Sequence, residues 1–266
     1  AALVLAAIAG EDERDEATRG IPTGGGVDLN GAWRAGALRG SRIGVLRGFG
    51  IQPRFDWVLN QVLATLREAG AEVIDPVTVA TLGQYGAAQR EVFLYEFKAG
   101  LNRYLNEPGR VSPVKSLAEV IAFNRGHAEA ELPLFGQELL LAAEAKGPLT
   151  EKTYLEAKAT LFRLARTEGL DATMDAHRLD ALVMLTRGPA HLTDVVNGDY
   201  STGGSASLAA AALGPAITVP ATMVAGLPMG VTFAGRAWSD AHLLALAADF
   251  EQRRGARVAP QFRPQD

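Results

Sequence analysis

The chain has 266 residues, 48% of them hydrophobic and 21% charged, a globular composition with enough apolar residues for a sizeable core. A formal charge of −4 with no basic stripe excludes nucleic acid as the main partner. Zero cysteines exclude disulfides and thiolate metal sites, and His127, His177, His191 and His242 are too scattered for zinc-ligand spacing.

Ala1 to Gly10 (AALVLAAIAG) is apolar almost throughout. It lacks the basic start of a signal peptide and at ten residues is too short to span a bilayer, so no membrane partner is expected. Its composition is that of the last turns of a buried helix, and with no capping residue ahead of it the helix is expected to begin upstream. A polar, Gly-rich stretch follows through Gly40, including Thr23-Gly24-Gly25-Gly26, and reads as a solvated loop. Arg42 to Leu46 predicts a strand. Val58 to Ala69 predicts a helix with Val58, Leu59, Val62, Leu63 and Leu66 on one face, ended by Gly70, and Ala71 to Ile74 a second strand. Gly44, Gly48 and Gly50 do not have the spacing of a phosphate cradle, and Phe49, Ile51 and Pro53 open no helix there; a tight strand-exit turn is the better reading.

Residues 80 to 178 predict helix after helix, punctuated by Pro108, Pro113, Pro133 and Pro148. Ser116 with Glu119 forms a capping box. Glu151 to Glu168 is read with Tyr154, Leu155, Leu161, Phe162 and Ala165 on one side. The last third returns to strands. Ala181 to Leu185 (ALVML) is the run of a strand covered on both faces. Ala216 to Pro220 and Met229 to Gly235 predict an antiparallel pair, with Met229, Val231 and Phe233 alternating, so the sheet is expected to be mixed. Ser239 is expected to cap a last helix with Leu243, Leu244, Ala247 and Phe250 inward, ended by Gly255.

The segment richest in candidate chemistry is Thr186 to Ser207, TRGPAHLTDVVNGDYSTGGSAS, leaving the buried strand's carboxyl end, where ligands of open α/β sheets tend to bind. Thr186, Asn197 and Asp199 are the candidate substrate-binding residues. A purely structural set of turns through Asn197, Asp199 and Thr202, with Gly198, Gly203 and Gly204 supplying unusual backbone angles, is equally open here. Ser205 with His191 and Asp194 or Asp199 could make a Ser-His-Asp set on paper, but no nucleophile-elbow motif surrounds it, and capping of a helix from Ala206 to Leu213 is the better role for Ser205.

Several segments carry a family resemblance: the opening LAAIAG with its acidic sequel, Leu94 to Asn102, Leu179 to Val183, Thr193 to Asp199 with its Gly-Gly-Ser sequel, Ile217 to Pro220, Gly226 to Gly230 and Gly235 to Ser239. In this order they resemble the C-terminal portion of amidase signature enzymes, most closely bacterial peptide amidases. The resemblance implies a mixed β-sheet flanked by helices, with a helical middle at about 80–178, all within residues 1–266 as the C-terminal portion of one amidase domain. It implies hydrolysis of linear amides through two serines and a lysine, with no metal and no cofactor, on a small amide or peptide-amide substrate. The motifs that carry those serines are absent from this sequence and are expected in a missing N-terminal half, the principal partner. None of Lys98, Lys115, Lys146, Lys152 and Lys158 has the catalytic context, so no catalytic residue carries over. Pro189-Ala190-His191 replaces a Pro-Ala-Trp of peptide amidases, which weakens the case for peptide-amide specificity. Without its companion half the chain is expected to be inactive and to expose Ala1 to Ile8 and Ala181 to Leu185. A non-catalytic interaction or scaffold module is the alternative. The compartment stays open, with the cytoplasm slightly favoured.

Overall fold

The computed structural model describes residues 1–15, 18–21, 35–48, 51–198, 200, 202–255 and 257–260. In chain order the elements are α1 (Ala2–Ile8), β1 (Arg42–Val45), α2 (Asp56–Glu68), β2 (Glu72–Ile74), α3 (Gly86–Leu105), α4 (Leu117–Gly126) and α5 (Ala128–Glu131). There follow α6 (Glu138–Glu144), α7 (Lys152–Phe162), a π-helical stretch (Arg163–Asp171) and α8 (Ala172–His177). The chain closes with β3 (Ala181–Leu185), α9 (Ala206–Ala211), β4 (Ala216–Val224), β5 (Leu227–Ala234) and α10 (Asp240–Arg254). Two compact units result: residues 1–80, 166–194 and 198–266 in the first, 81–165 and 195–197 in the second.

The first unit is built on a five-stranded sheet of order β2-β1-β3-β5-β4. β1 runs parallel to β2 and β3, while β5 is antiparallel to β3 and β4, so the sheet is mixed as expected. The β1–α2–β2 unit forms because Val58, Leu59, Val62, Leu63 and Leu66 of α2 make one buried stripe, and Gly70 (φ +90) turns the chain back. Ala225 and Gly226 both have positive φ, the backbone that a two-residue hairpin turn matched to strand twist requires, and they join β4 to β5. Met229, Val231 and Phe233 enter a core with Val58, Val62, Leu66, Leu246 and Phe250. Phe233 and Phe250 meet edge to face at 5.7 Å, and burying each ring is worth about 1.5–3 kcal/mol.

Every residue of β3 is buried: β1 and β5 pair with its edges, and Ala181, Val183 and Leu185 enter the core that holds residues of α2 and α10. Ala181 to Leu185 is therefore not an exposed surface, contrary to the expectation for an isolated half. Ala1 to Gly10 does hold a helix, but only Ala2 is buried; Leu3, Val4 and Ile8 are 78%, 64% and 74% exposed. Ser239 does not cap α10 with its side chain: its hydroxyl donates to Arg236 O at 2.7 Å, which satisfies the carbonyl of the preceding turn. Gly255 ends α10 in the left-handed region.

The second unit is helical. Val92 and Tyr95 of α3 pack on Tyr154 of α7, and Leu117, Ile121 and Ala143 form a cluster of α4 and α6. Ser116 Oγ accepts from Glu119 N at 3.2 Å, while Glu119 Oε2 accepts from Lys115 N at 2.7 Å, a capping box shifted by one residue. On α7, Tyr154 is buried but Leu155 and Phe162 are about half exposed. At about 100° per residue, Leu155 and Phe162 fall about a quarter turn from the line through Tyr154 and Leu161. The stripe is narrower than expected from the sequence.

Candidate functional site

The chain leaves β3 at Thr186 and returns at Ser205, where a knot of hydroxyls closes the loop at its base. Thr232 lies opposite Thr218 in the β4–β5 ladder and opposite Met184 in the β3–β5 ladder, so its side chain shares a sheet face with Thr218. Thr232 Oγ1 is 2.8 Å from Thr186 Oγ1, 3.1 Å from Thr218 Oγ1, and accepts from Ser205 Oγ at 3.2 Å. The backbone reinforces the closure: Ser205 N donates to Thr186 O at 3.0 Å, and Arg187 forms an isolated antiparallel bridge with Gly204. Gly230 makes room, since a Cβ there would stand 3.0 Å from Thr186 Oγ1.

Of the three candidate binding residues, Thr186 is half-buried in this knot and belongs to the first unit. Asn197 ends an exposed turn over Val195–Asn197 that is grouped with the second unit. Asp199 lies outside the described residues, as do Phe49, Gly50 and the Thr23-Gly24-Gly25-Gly26 run. Gly198 and Gly203 have the expected positive φ, whereas Gly204 does not; it is held in the bridge to Arg187 instead. Tyr200 is hydrogen-bonded by Gln52, which tethers the loop to the segment leading into α2. Thr202 is buried against Gly188, and its hydroxyl has no partner among the described residues.

Ser205 is 2% exposed and its hydroxyl is directed to Thr232 and to Thr186 O, so it neither caps α9 nor meets His191, whose Nδ1 faces Leu192 O at 3.2 Å. A nucleophile needs a base within hydrogen-bond reach, and the Ser-His-Asp alternative lacks one.

Lys98 and Lys146 are committed to structure, whereas Lys152 is 87% exposed. Lys98 Nζ donates to Glu144 O and Lys146 O at 2.6 and 2.8 Å, covering carbonyls at the end of α6. Lys146 pairs with Glu91 at 2.5 Å, and Lys152 with Glu156. Lys158 donates to Tyr154 OH at 3.1 Å, and that bond raises its pKa, the opposite of what a lysine base needs. Tyr95 donates to Glu151 at 2.5 Å, which pushes its pKa up to about 12. Lys115 reaches only backbone carbonyls at 3.5 Å.

A groove of about 740 Å³ opens along α3 and α6, lined by Gly86, Phe93, Phe97 and Leu139 among others. Phe93 and Phe97 are one turn apart and 58% and 45% exposed. That i,i+4 aromatic pair is the signal in the sequence that could have marked the groove. Among the described residues no group of three or more His, Cys, Asp or Glu is placed to hold a metal ion, and no helix is long and apolar enough to cross a membrane.

Comparison with known proteins places this arrangement in context. The profile of the Amidase family matches residues 1–244. The peptide amidase of Stenotrophomonas maltophilia is 42% identical, with a TM-score of 0.89, over 99% of this chain and 53% of its own. An amidase family protein from Bacillus anthracis is 28% identical, with a TM-score of 0.79, over 98% of this chain and 48% of its own. A probable amidase of Arabidopsis thaliana is 33% identical over 97% of this chain and 47% of its own. The chain thus spans about half the length of the relatives it matches.

Proposed function

The chain belongs to the amidase family, and on that premise we propose that it forms one portion of an amidase that hydrolyses carboxamide or peptide-amide C–N bonds. The observation that carries this reading is the 42% identity to a peptide amidase along 99% of the chain, in the same fold. The proposed chemistry is acyl transfer by a Ser-Ser-Lys set held in the polypeptide that makes up the rest of the relatives' length. There the serine oxygen attacks the amide carbonyl while its proton passes to the lysine. The C–N bond then breaks with proton return to the amine, and water releases the acyl group as the acid. Donors aimed at the developing oxyanion would supply the electrostatic stabilisation. In this reading the Thr186–Ser205 loop serves the substrate, through Thr186, Asn197 and Asp199, and no metal or cofactor takes part.

The test is an amide-hydrolysis assay on the purified chain, alone and with the companion half supplied in trans or in the full-length protein. The chain alone is expected to release no ammonia or amine, because a preorganised nucleophile and oxyanion donors are both required. The complemented protein is expected to turn over, with a raised KM or lowered kcat on alanine substitution of Thr186, Asn197 or Asp199. Turnover by the chain alone that disappears with Ser205→Ala would overturn this assignment. An inert complemented protein would favour a non-catalytic scaffold.

A further inference from the structure

We propose that Thr232 is a positioning residue: its hydroxyl fastens both ends of the 187–204 loop and orients Thr186 as a hydrogen-bond donor toward a carbonyl-type acceptor on the amide substrate. A threonine hydroxyl offers one proton and two lone pairs. Thr232 has three hydroxyl neighbours, at 2.8, 3.1 and 3.2 Å, which uses all three. Ser205 supplies one proton to it when its single hydroxyl proton takes the 3.2 Å contact to Thr232 over the 3.3 Å contact to Thr186 O. Of the remaining two partners, one donates to Thr232 and the other receives its proton. When Thr232 donates to Thr186 and accepts from Thr218, the proton of Thr186 is left with the 3.4 Å contact to Thr218 Oγ1. That distance lies beyond the range of a good O–H···O bond, so this proton is the one most readily given to an incoming oxygen. Thr232 and Ser205 are 5% and 2% exposed, whereas Thr218 is exposed and Thr186 half-buried, so the knot is fixed on its buried side and open on the other.

The same hydroxyl joins three separated stretches of chain. Thr186 begins the loop, Ser205 ends it, and Thr218 belongs to the edge strand. Removing the Thr232 oxygen therefore loosens the side chains at both loop ends at once; the Arg187–Gly204 bridge and the Ser205 N–Thr186 O bond still close the backbone, but neither restrains the Thr186 rotamer. Gly230, whose missing Cβ leaves the space beside Thr186 Oγ1, completes the setting.

The substrate role of Thr186 rests on the amidase reading; the fastening role does not, and two measurements separate them. Hydrogen exchange on the chain itself compares Thr232→Val, which keeps the β-branched shape, with Thr232→Ser, which keeps the hydroxyl. Thr232→Val is expected to speed exchange at amides within 187–204 by about threefold to tenfold, the equivalent of one net hydrogen bond, with Thr232→Ser near wild type. In the full-length protein, Thr232→Val is expected to raise KM by a similar factor with kcat within about twofold, and Thr232→Ser to restore it. If Thr232→Val does not fold, Thr186→Val should speed the same loop amides. Loop exchange unchanged in these variants, or Thr232→Ser as impaired as Thr232→Val, would overturn the fastening role. A faster loop with unchanged KM in an active enzyme would overturn the donor role. A full-length protein without amidase activity would refute the amidase reading and the donor role with it, while the exchange result still decides the fastening.

Discussion

Asp249 offers the sharpest test of how the first unit is held together. Its carboxylate, on α10, is 3% exposed, accepts from Leu38 N and from Arg253 Nε at 3.0 Å each, and also receives the backbone N–H of Gly36. It thereby ties the turn ahead of β1 to the last helix, 211 residues away. Asp249→Ala would leave two backbone donors unpartnered, one of them on the fully buried Leu38, at about 1–3 kcal/mol each. Arg253 is 39% exposed, so solvent screening limits its share to no more than about 0.5 kcal/mol. The expected loss is about 2–6 kcal/mol, a large part of the roughly 5–15 kcal/mol of a typical domain. Urea denaturation followed by circular dichroism, with the slope checked for constancy, measures it. The pH dependence carries a sign as well. Burial alone would raise the Asp249 pKa, but the N–H groups of Leu38 and Gly36 and the guanidinium of Arg253 outweigh it, and the pKa is lowered. The stabilisation is then fully present above the unfolded value of about 3.9 and lost as pH falls through the folded value. A loss below about 1 kcal/mol at pH 7, or a gap between wild type and Asp249→Ala that closes already above pH 5, would refute the account.

Gly44→Ala should destabilise by about 1–3 kcal/mol in the same denaturation assay, because a Cβ on β1 would collide with Leu179 and stand 2.9 Å from Leu182 Cδ2 in a filled core. A neutral result would show that these leucines have room to move. The exposed apolar residues of α1 should promote association of the isolated chain, so Leu3→Glu with Ile8→Lys is expected to lower its light scattering at equal concentration. Unchanged scattering would place the sticky surface elsewhere, for instance at Phe93 and Phe97.

Periodicity in the sequence determined the elements whose partners are implied by pattern alone. The α2 stripe, the alternation of Met229, Val231 and Phe233, and the unbroken apolar run of β3 each state which faces are buried, and the structure buries them. Residue order likewise marked Thr186 to Ser207 as the segment leaving the buried strand's carboxyl end. What that loop is fastened to was settled only in three dimensions. Ser205 and Ser239 both precede helices and both read as caps, yet one hydroxyl joins Thr232 and the other Arg236 O. Thr218 and Thr232 look like ordinary solvent-side strand positions until β3 brings Thr186 beside them. Leu155 and Phe162 qualify as core by composition but lie beside the contact line of α7. A side chain's periodic position fixes the direction in which it points, because backbone geometry is local. Which atom stands there to meet it depends on segments tens to hundreds of residues away, and only the assembled sheet and helices bring those atoms within 3 Å of Thr232 and Asp249.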